Sequence, residues 1–339
     1  HREGRSVGVQ NASRVGRARN REPVLCRWRC TKREVGPSQI PDRWRDTSRP
    51  PINGSQRGNG EPRSATSAMT SLPNEGLSEV AQNFDAVLTD QYGVLHDGQR
   101  PFPRAAECLA ALRDRGIPVV AVTNSGKRSA PNLARLERLG FGPDIVPDLL
   151  SSGEVVRQRL VALLDEGSLA AGAAVLILSR DSDTSLIDGL DLSGGTSLAP
   201  DLVLFAGVTP ATLSREASAD QLAPLARSGV PAICANPDHV MYLGDGSAFG
   251  TGRVAQDYVD AGGTVEMVGK PSETFFQMAL SRLGDVDPAR VLMIGDSPGH
   301  DISGAARLGL QTLLIETGIQ AGLADPSSVE ATYRAPMLA

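Results

Sequence analysis

From residue 84 onward, short apolar runs of strand length alternate with stripes of helical period. Residues 86–89 form an apolar run that ends at Asp90. Residues 105–115 carry Cys108, Leu109 and Leu112 on one side and stop at Gly116, which predicts a helix. A β-branched run over 117–122 leads into Thr123-Asn124-Ser125. Leu133, Leu136 and Leu139 mark the next helix, which stops at Gly140, and residues 155–164 read as another. Strand-length runs follow at 174–178, 202–205 and 230–234. Residues 272–283 are helical, with Phe275, Phe276, Met278, Leu280 and Leu283 on an apolar stripe. A strand over 291–294 ends at Gly295-Asp296, a helix over 302–308 stops at Gly309, and 311–315 is the last strand. Strand and helix in turn predict an α/β fold, a doubly wound parallel sheet. In such sheets the site forms at the carboxyl ends of the strands. Asp90, Thr123 and Asp296 each end or directly follow a strand.

The first 68 residues break this pattern. Only 16 of them are apolar, and no period of 3.6 or 2.0 runs through them. They hold 15 Lys and Arg against 6 Asp and Glu, so the overall charge of −5 hides a body with 19 positive and 33 negative side chains. The expectation is a disordered basic extension over 1–80, with the body starting near Met69, the first methionine. Trp28 and Trp44, both tryptophans of the chain, fall in this extension. An acidic body argues against nucleic acid as a partner. No run approaches the 18 apolar residues of a membrane helix, so no membrane association is expected. Four cysteines exclude a disulfide scaffold and fit the cytoplasm. Cys26 and Cys30 lack the further ligands that a zinc site needs.

Candidate chemistry gathers at four places. Asp90 lies in L-T-D-Q-Y-G-V-L, where a carboxylate after a buried strand can be a nucleophile, although an Asp at a strand end more commonly caps a turn. Thr123, Asn124 and Ser125 offer hydroxyls and backbone N–H groups to an anion at a helix start, and read equally as an N-cap. Lys270 stands in V-G-K-P between a strand and a helix. Asp296 and Asp301 lie in I-G-D-S-P-G-H-D, a spacing that suits Mg²⁺ with water completing its shell.

In this order the four motifs resemble those of the haloacid dehalogenase-like hydrolase superfamily, over about residues 84–318. The long stretch from Ser125 to Lys270 is similar to its class IIA branch, which inserts a large α/β cap there. Ser151-Ser152-Gly153-Glu154, Ala235-Asn236-Pro237-Asp238 and Gly269-Lys270-Pro271 agree with that branch. The run from Asp90 to Gly98 looks like an uncharacterised subgroup of it. The resemblance implies a core of 81–171 with 265–339 and a cap of 172–264. It implies a phosphatase in which Asp90 attacks phosphorus and water then hydrolyses the aspartyl-phosphate. Thr123, Asn124, Ser125 and Lys270 would hold the phosphate. Asp90, the Tyr92 carbonyl, Asp296 and Asp301 would hold Mg²⁺. Phosphatases of the superfamily carry a second Asp where this chain has Tyr92. That residue carries a proton to the leaving group, an effect typically worth roughly 10²–10⁴-fold. His96 or Asp97 could stand in for it, or a good leaving group could dispense with it. The polar loop of Asn236, Asp238 and His239 follows a cap strand and is expected to meet the rest of a small phosphorylated metabolite. Two other readings stay open: a phospho-ligand-binding regulator without turnover, favoured by Tyr92, and a dehalogenase. A homodimer is also left open.

Overall fold

The computed structural model describes residues 70–71, 77, 81–195, 199–210, 213–243, 246–316, 318 and 330–338. Trp28, Trp44, Cys26, Cys30 and most of the expected extension lie outside the described residues. Thr70–Ser71 (β1) pairs with the last strand of the chain, and Leu77 is buried in the core, so contact with the body begins ahead of residue 81.

Among the described residues, seven parallel strands make the larger sheet. In spatial order they are β1, β14 (Tyr333–Ala335), β13 (Gln311–Ile315), β12 (Val291–Gly295), β2 (Ala86–Asp90), β3 (Val119–Thr123) and β4 (Asp148–Ser151). The central strands β2, β3 and β12 are buried at every position, as a sheet covered on both faces requires. Successive side chains point to opposite faces and join different cores. Leu88, Val120, Val122, Leu150 and Met293 face one layer; Val87, Val119, Ala121, Leu149 and Leu292 face the other. Helices α1 (Ala105–Asp114), α2 (Ser129–Arg138) and α3 (Ser152–Asp165) follow β2, β3 and β4. Gly116 and Gly140 end the first two at positive φ, +74° and +94°, where a side chain would be strained. Ser151 starts α3 by accepting the Glu154 N–H at 3.1 Å.

Between α3 and the return to the first sheet the chain builds a second one. It is again parallel, in the order β11 (Thr264–Met267), β8 (Pro231–Cys234), β7 (Leu202–Phe205), β5 (Ala173–Leu178) and β6 (Leu192–Gly194). Helices α4 (Arg215–Arg227) and α5 (Thr251–Asp260) pack with it, and a hairpin of β9 (Val240–Leu243) and β10 (Gly246–Phe249) precedes α5. Tyr258 of α5 packs edge-on against Phe205, ring centres 5.6 Å apart, and donates to the Val230 carbonyl. The chain then returns through α6 (Glu273–Ser281) to β12.

The expected helix over 302–308 begins differently. Residues 298–302 form a wide π turn, and only Ser303–Ala306 (α7) is α-helical. The Ser297 hydroxyl accepts the His300 N–H, while the Asp301 carboxylate accepts the Ser297 N–H at 3.0 Å. These local bonds replace those of a regular first turn. Among the described residues no helix is long and apolar enough to cross a membrane.

Candidate active site

The carboxyl ends of β2, β3 and β12 meet in one place. Each strand is an apolar run that stops at a polar residue, and the parallel register sets those stops side by side. Asp90, Asp296 and Asp301 are all buried there, with carboxylate oxygens within 4.8 Å of one another. Lys270 enters from the loop before α6. Its Nζ lies 2.9 Å from Asp90 Oδ1 and 2.6 Å from Asp301 Oδ1. Burial opposes the ammonium, yet Asp301 and Asp90 outweigh it and raise the Lys270 pKa above its usual value. Burial pushes the Asp90 carboxyl up, to about 7, against the pull of Lys270.

Three carboxylates against one ammonium leave an excess of negative charge when all are ionised. Glycines crowd the same acids. A Cβ at Gly93 or at Gly318 would collide with the Asp296 carboxylate, and one at Gly295 with Asp301. Gly93 also has φ +90°, which favours glycine twice over. A buried, oxygen-only donor set with unbalanced charge fits a hard divalent cation.

Thr123 and Asn124 are both buried at this edge. The Thr123 hydroxyl accepts from Gln91 Nε2 at 2.9 Å and from the Ser125 N–H at 3.2 Å. The Asn124 side chain bonds protein groups through both of its polar atoms. Its Nδ2 donates to Asp238 Oδ1 at 2.9 Å and to the Lys270 carbonyl at 3.1 Å. Its Oδ1 accepts from the Lys270 N–H at 2.7 Å and from Ser152 Oγ at 3.3 Å. Both amide protons are therefore spent on protein groups, and the side chain aligns Lys270. Ser125 is half-buried, its hydroxyl accepting from the Lys127 N–H.

The second sheet faces this edge with its own strand ends. A Cβ at Gly126 would run into the Ala206 carbonyl, just past β7, so the two sheets approach closely there. Past β8, Asn236 turns the chain by accepting the Asp238 N–H at 3.2 Å. That turn delivers Asp238 to Asn124 and to His300, whose Nδ1 lies 3.1 Å away. Burial opposes the charge on Asp238, but the bonds from His300 and Asn124 prevail and hold its pKa below the usual carboxylate range. His239 does not join them; it is exposed, with its carbonyl bonded to the Gly250 N–H. The sequence reading missed the Asn124–Asp238–His300 contact, because 114 residues separate Asn124 from Asp238 and only the fold joins them.

Tyr92 is half-buried, with its ring against Gly98 and edge-on to His96. His96 is fully buried, and its Nδ1 accepts the Gly98 N–H at 2.9 Å. Burial lowers its pKa to about 4, and the charges acting on it are Arg135 and Asp97 rather than the three acids. Asp97 is exposed and accepts the N–H groups of Gln99 and Arg100.

A haloacid dehalogenase-like hydrolase family model matches residues 87–193, and an HAD-hydrolase-like model matches 267–338. Chronophin of Bos taurus is 32% identical over 267 residues, covering 73% of this chain and 86% of the relative. A hydrolase of the haloacid dehalogenase-like family from Brucella suis superposes with a TM-score of 0.71 at 26% identity, over 79% of this chain and 100% of that one. A glycerol phosphate phosphatase from Mycobacterium tuberculosis, solved with magnesium, superposes with a TM-score of 0.59 at 27% identity, covering 76% of each chain. With this sheet order, this acid cluster and these relatives, the chain belongs to the haloacid dehalogenase-like hydrolases.

Proposed function

We propose that the protein is a Mg²⁺-dependent phosphatase acting on a small phosphorylated metabolite, with Asp90 as nucleophile. The observation that carries this reading is the Lys270 ammonium set between Asp90 and Asp301 inside a buried triad of acids. The phosphatase named among the structural relatives supports the reaction class. An Asp90 carboxylate oxygen attacks phosphorus, and the bond from phosphorus to the ester oxygen breaks. Water then cleaves the acyl phosphate, returning Asp90 and releasing phosphate. Lys270 holds one Asp90 oxygen and places positive charge beside the incoming phosphate. Thr123 adds a hydroxyl donor. Asn124 acts through the Lys270 backbone, which it grips at both N–H and carbonyl. Asp90, Asp296 and Asp301 would hold Mg²⁺, which when bound neutralises charge between the carboxylates and the phosphate.

Proton delivery to the leaving group has no carboxylic acid at position 92. His96 is a poor substitute, because at a pKa of about 4 it is neutral at pH 7. Substrates with good leaving groups are therefore favoured. The same feature favours a second reading, a protein that binds a phosphorylated ligand and turns it over very slowly.

The test is phosphate release from a series of monoesters of graded leaving-group pKa, with and without Mg²⁺. Mg²⁺-dependent release that falls steeply as leaving-group pKa rises is expected, with Asp90→Asn at background. The melting temperature should rise with Mg²⁺ in the wild type and stop doing so in Asp296→Asn. Tight phosphate binding without release would establish the second reading. A folded protein that neither binds phosphate nor releases it would overturn both.

A further inference from the structure

We infer that Gln91 is a positioning residue that fixes the direction of the Thr123 hydroxyl proton and aims it at the phosphate. The inference rests on the phosphatase reading above. Gln91 lies between the nucleophile and Tyr92, and its side chain is buried.

The orientation of its amide is set from a distance. Asn132, in the first turns of α2, donates Nδ2 to the Arg128 carbonyl at 2.8 Å and to the Lys127 carbonyl at 3.4 Å. Carbonyls only accept, so the Asn132 amide has one consistent orientation, with Oδ1 facing Gln91. Oδ1 accepts Gln91 Nε2 at 3.3 Å. Turning the Gln91 amide over would set two oxygens against each other, so its orientation is determined as well. Nε2 then also donates to Thr123 Oγ1, at 2.9 Å.

The consequence falls on Thr123. A hydroxyl has two lone pairs and one proton. Gln91 takes one lone pair and the Ser125 N–H takes the other. The proton cannot point at either donor, and among the described residues it has no protein acceptor. It is left for a ligand oxygen at the strand ends, beside Asp90 and Lys270. A donor aligned in advance needs no reorganisation when the anion arrives. The arrangement has a cost: Gln91 Oε1 is buried without a hydrogen-bond partner among the described residues. The fold keeps this amide orientation in spite of that cost.

The test is a double-mutant cycle on the full-length protein with Mg²⁺, reading the Kd of inorganic phosphate by calorimetry and kcat and KM on a chromogenic aryl phosphate. Gln91→Met keeps the volume and removes the donor. It should weaken phosphate binding about tenfold, the scale of one aligned hydrogen bond, as should Thr123→Val. The double variant should be no weaker than Thr123→Val alone, because Gln91 acts only through that hydroxyl. A purely structural Gln91 gives losses that multiply in the cycle, and that result overturns the inference, as does an unchanged Kd in Gln91→Met. Should Gln91→Met fail to fold, Asn132→Ala frees the Gln91 amide to turn and serves the same cycle. Its loss should likewise vanish in the Thr123→Val background, and a multiplied loss overturns the inference. Failure of the phosphatase reading is distinct, since a wild type that neither binds phosphate nor hydrolyses the ester removes the inference with it.

Discussion

The two sheets of this protein are built alike and charged differently. Both are parallel and carry helices, and both end their strands toward the same seam. The larger sheet buries Asp90, Lys270, Asp296 and Asp301 at that end, with Thr123 and Asn124 beside them. Among the described residues of the second sheet and its helices, no buried polar side chain is ionic; they are Ser218, Thr251 and the Tyr258 phenol. Burying charge costs several kcal/mol per ion before pairing, so a fold keeps it where the charge has work to do. On the proposed phosphatase reading, the contrast puts the chemistry on one sheet and leaves the other to cover it, reaching in through the 236–238 turn.

Breaking the charged side should have the largest effect. Lys270→Met removes the ammonium and leaves three buried carboxylates facing one another. Loss of one partner from a buried ionic group typically costs about 3–5 kcal/mol. Turnover should fall to background, and Mg²⁺ should recover a larger share of the lost melting temperature than it adds to the wild type. The matched change in the second sheet region is Arg215→Met. It breaks a two-pronged pair with Asp257, with both contacts at 2.7 Å but on a partly exposed arginine. That variant should melt near the wild type and keep its activity. Calorimetry of both variants, with and without Mg²⁺, decides the matter, and equal losses would erase the contrast.

Next comes the turn through which the covering region touches Asn124. Asp238→Ala removes the partner of Asn124 Nδ2 and of His300 Nδ1. KM should rise about tenfold, the scale of one such bond across the seam, with the order of preferred substrates altered. The Mg²⁺ dependence should stay as in the wild type, because the three acids are untouched. A shifted metal dependence with unchanged substrate order would place Asp238 in the charged site instead.

Much of the charged side was legible in the sequence, because its signals are local. An apolar run that stops at a polar residue marks a strand end, and Asp90, Thr123 and Asp296 were all read that way. In the second sheet, the runs at 174–178, 202–205 and 230–234 correspond to β5, β7 and β8. What escaped the reading depends on partners far along the chain. β4 reads as D-L-L-S, too short to announce itself, and becomes a strand by pairing with β3. β11 reads as T-V-E-M and is defined by its pairing with β8. Gln91 and Asn132 carry no motif, and their roles appear only once a 41-residue separation closes to a hydrogen bond. Asn124 was placed at the site, but its task was not legible, since both its acceptors come from beyond residue 237.

The smallest effect sharpens the comparison through α3, which is tied to both sides. Toward the second sheet, Arg159 Nε lies 3.1 Å from both carboxylate oxygens of Glu266 on β11. Toward the loop that follows Thr123, Glu154 takes two bonds from Arg128, at 2.8 and 2.9 Å, and one from the Ser129 N–H at 3.3 Å. The Arg128 hydrogen bonds outweigh burial and hold the Glu154 carboxyl below its usual value of 4.5. A carboxyl depressed by folding stabilises the protein fully above that unfolded value, and the gain is lost as pH falls through the folded one. Glu154→Gln keeps the shape and removes the charge. At pH 7 it should lower stability by about 1 kcal/mol, discounted for partial exposure. As the pH falls from 4.5 through the lowered folded value the wild type protonates the same group, so the difference between the two proteins should shrink toward zero. Urea unfolding of both at neutral and acid pH reads this directly. A gap that persists or widens in acid would mean that the Glu154 charge contributes nothing. The loop beside Thr123 would then be held by its other bonds, those from Asn132 to the Lys127 and Arg128 carbonyls among them, and by packing.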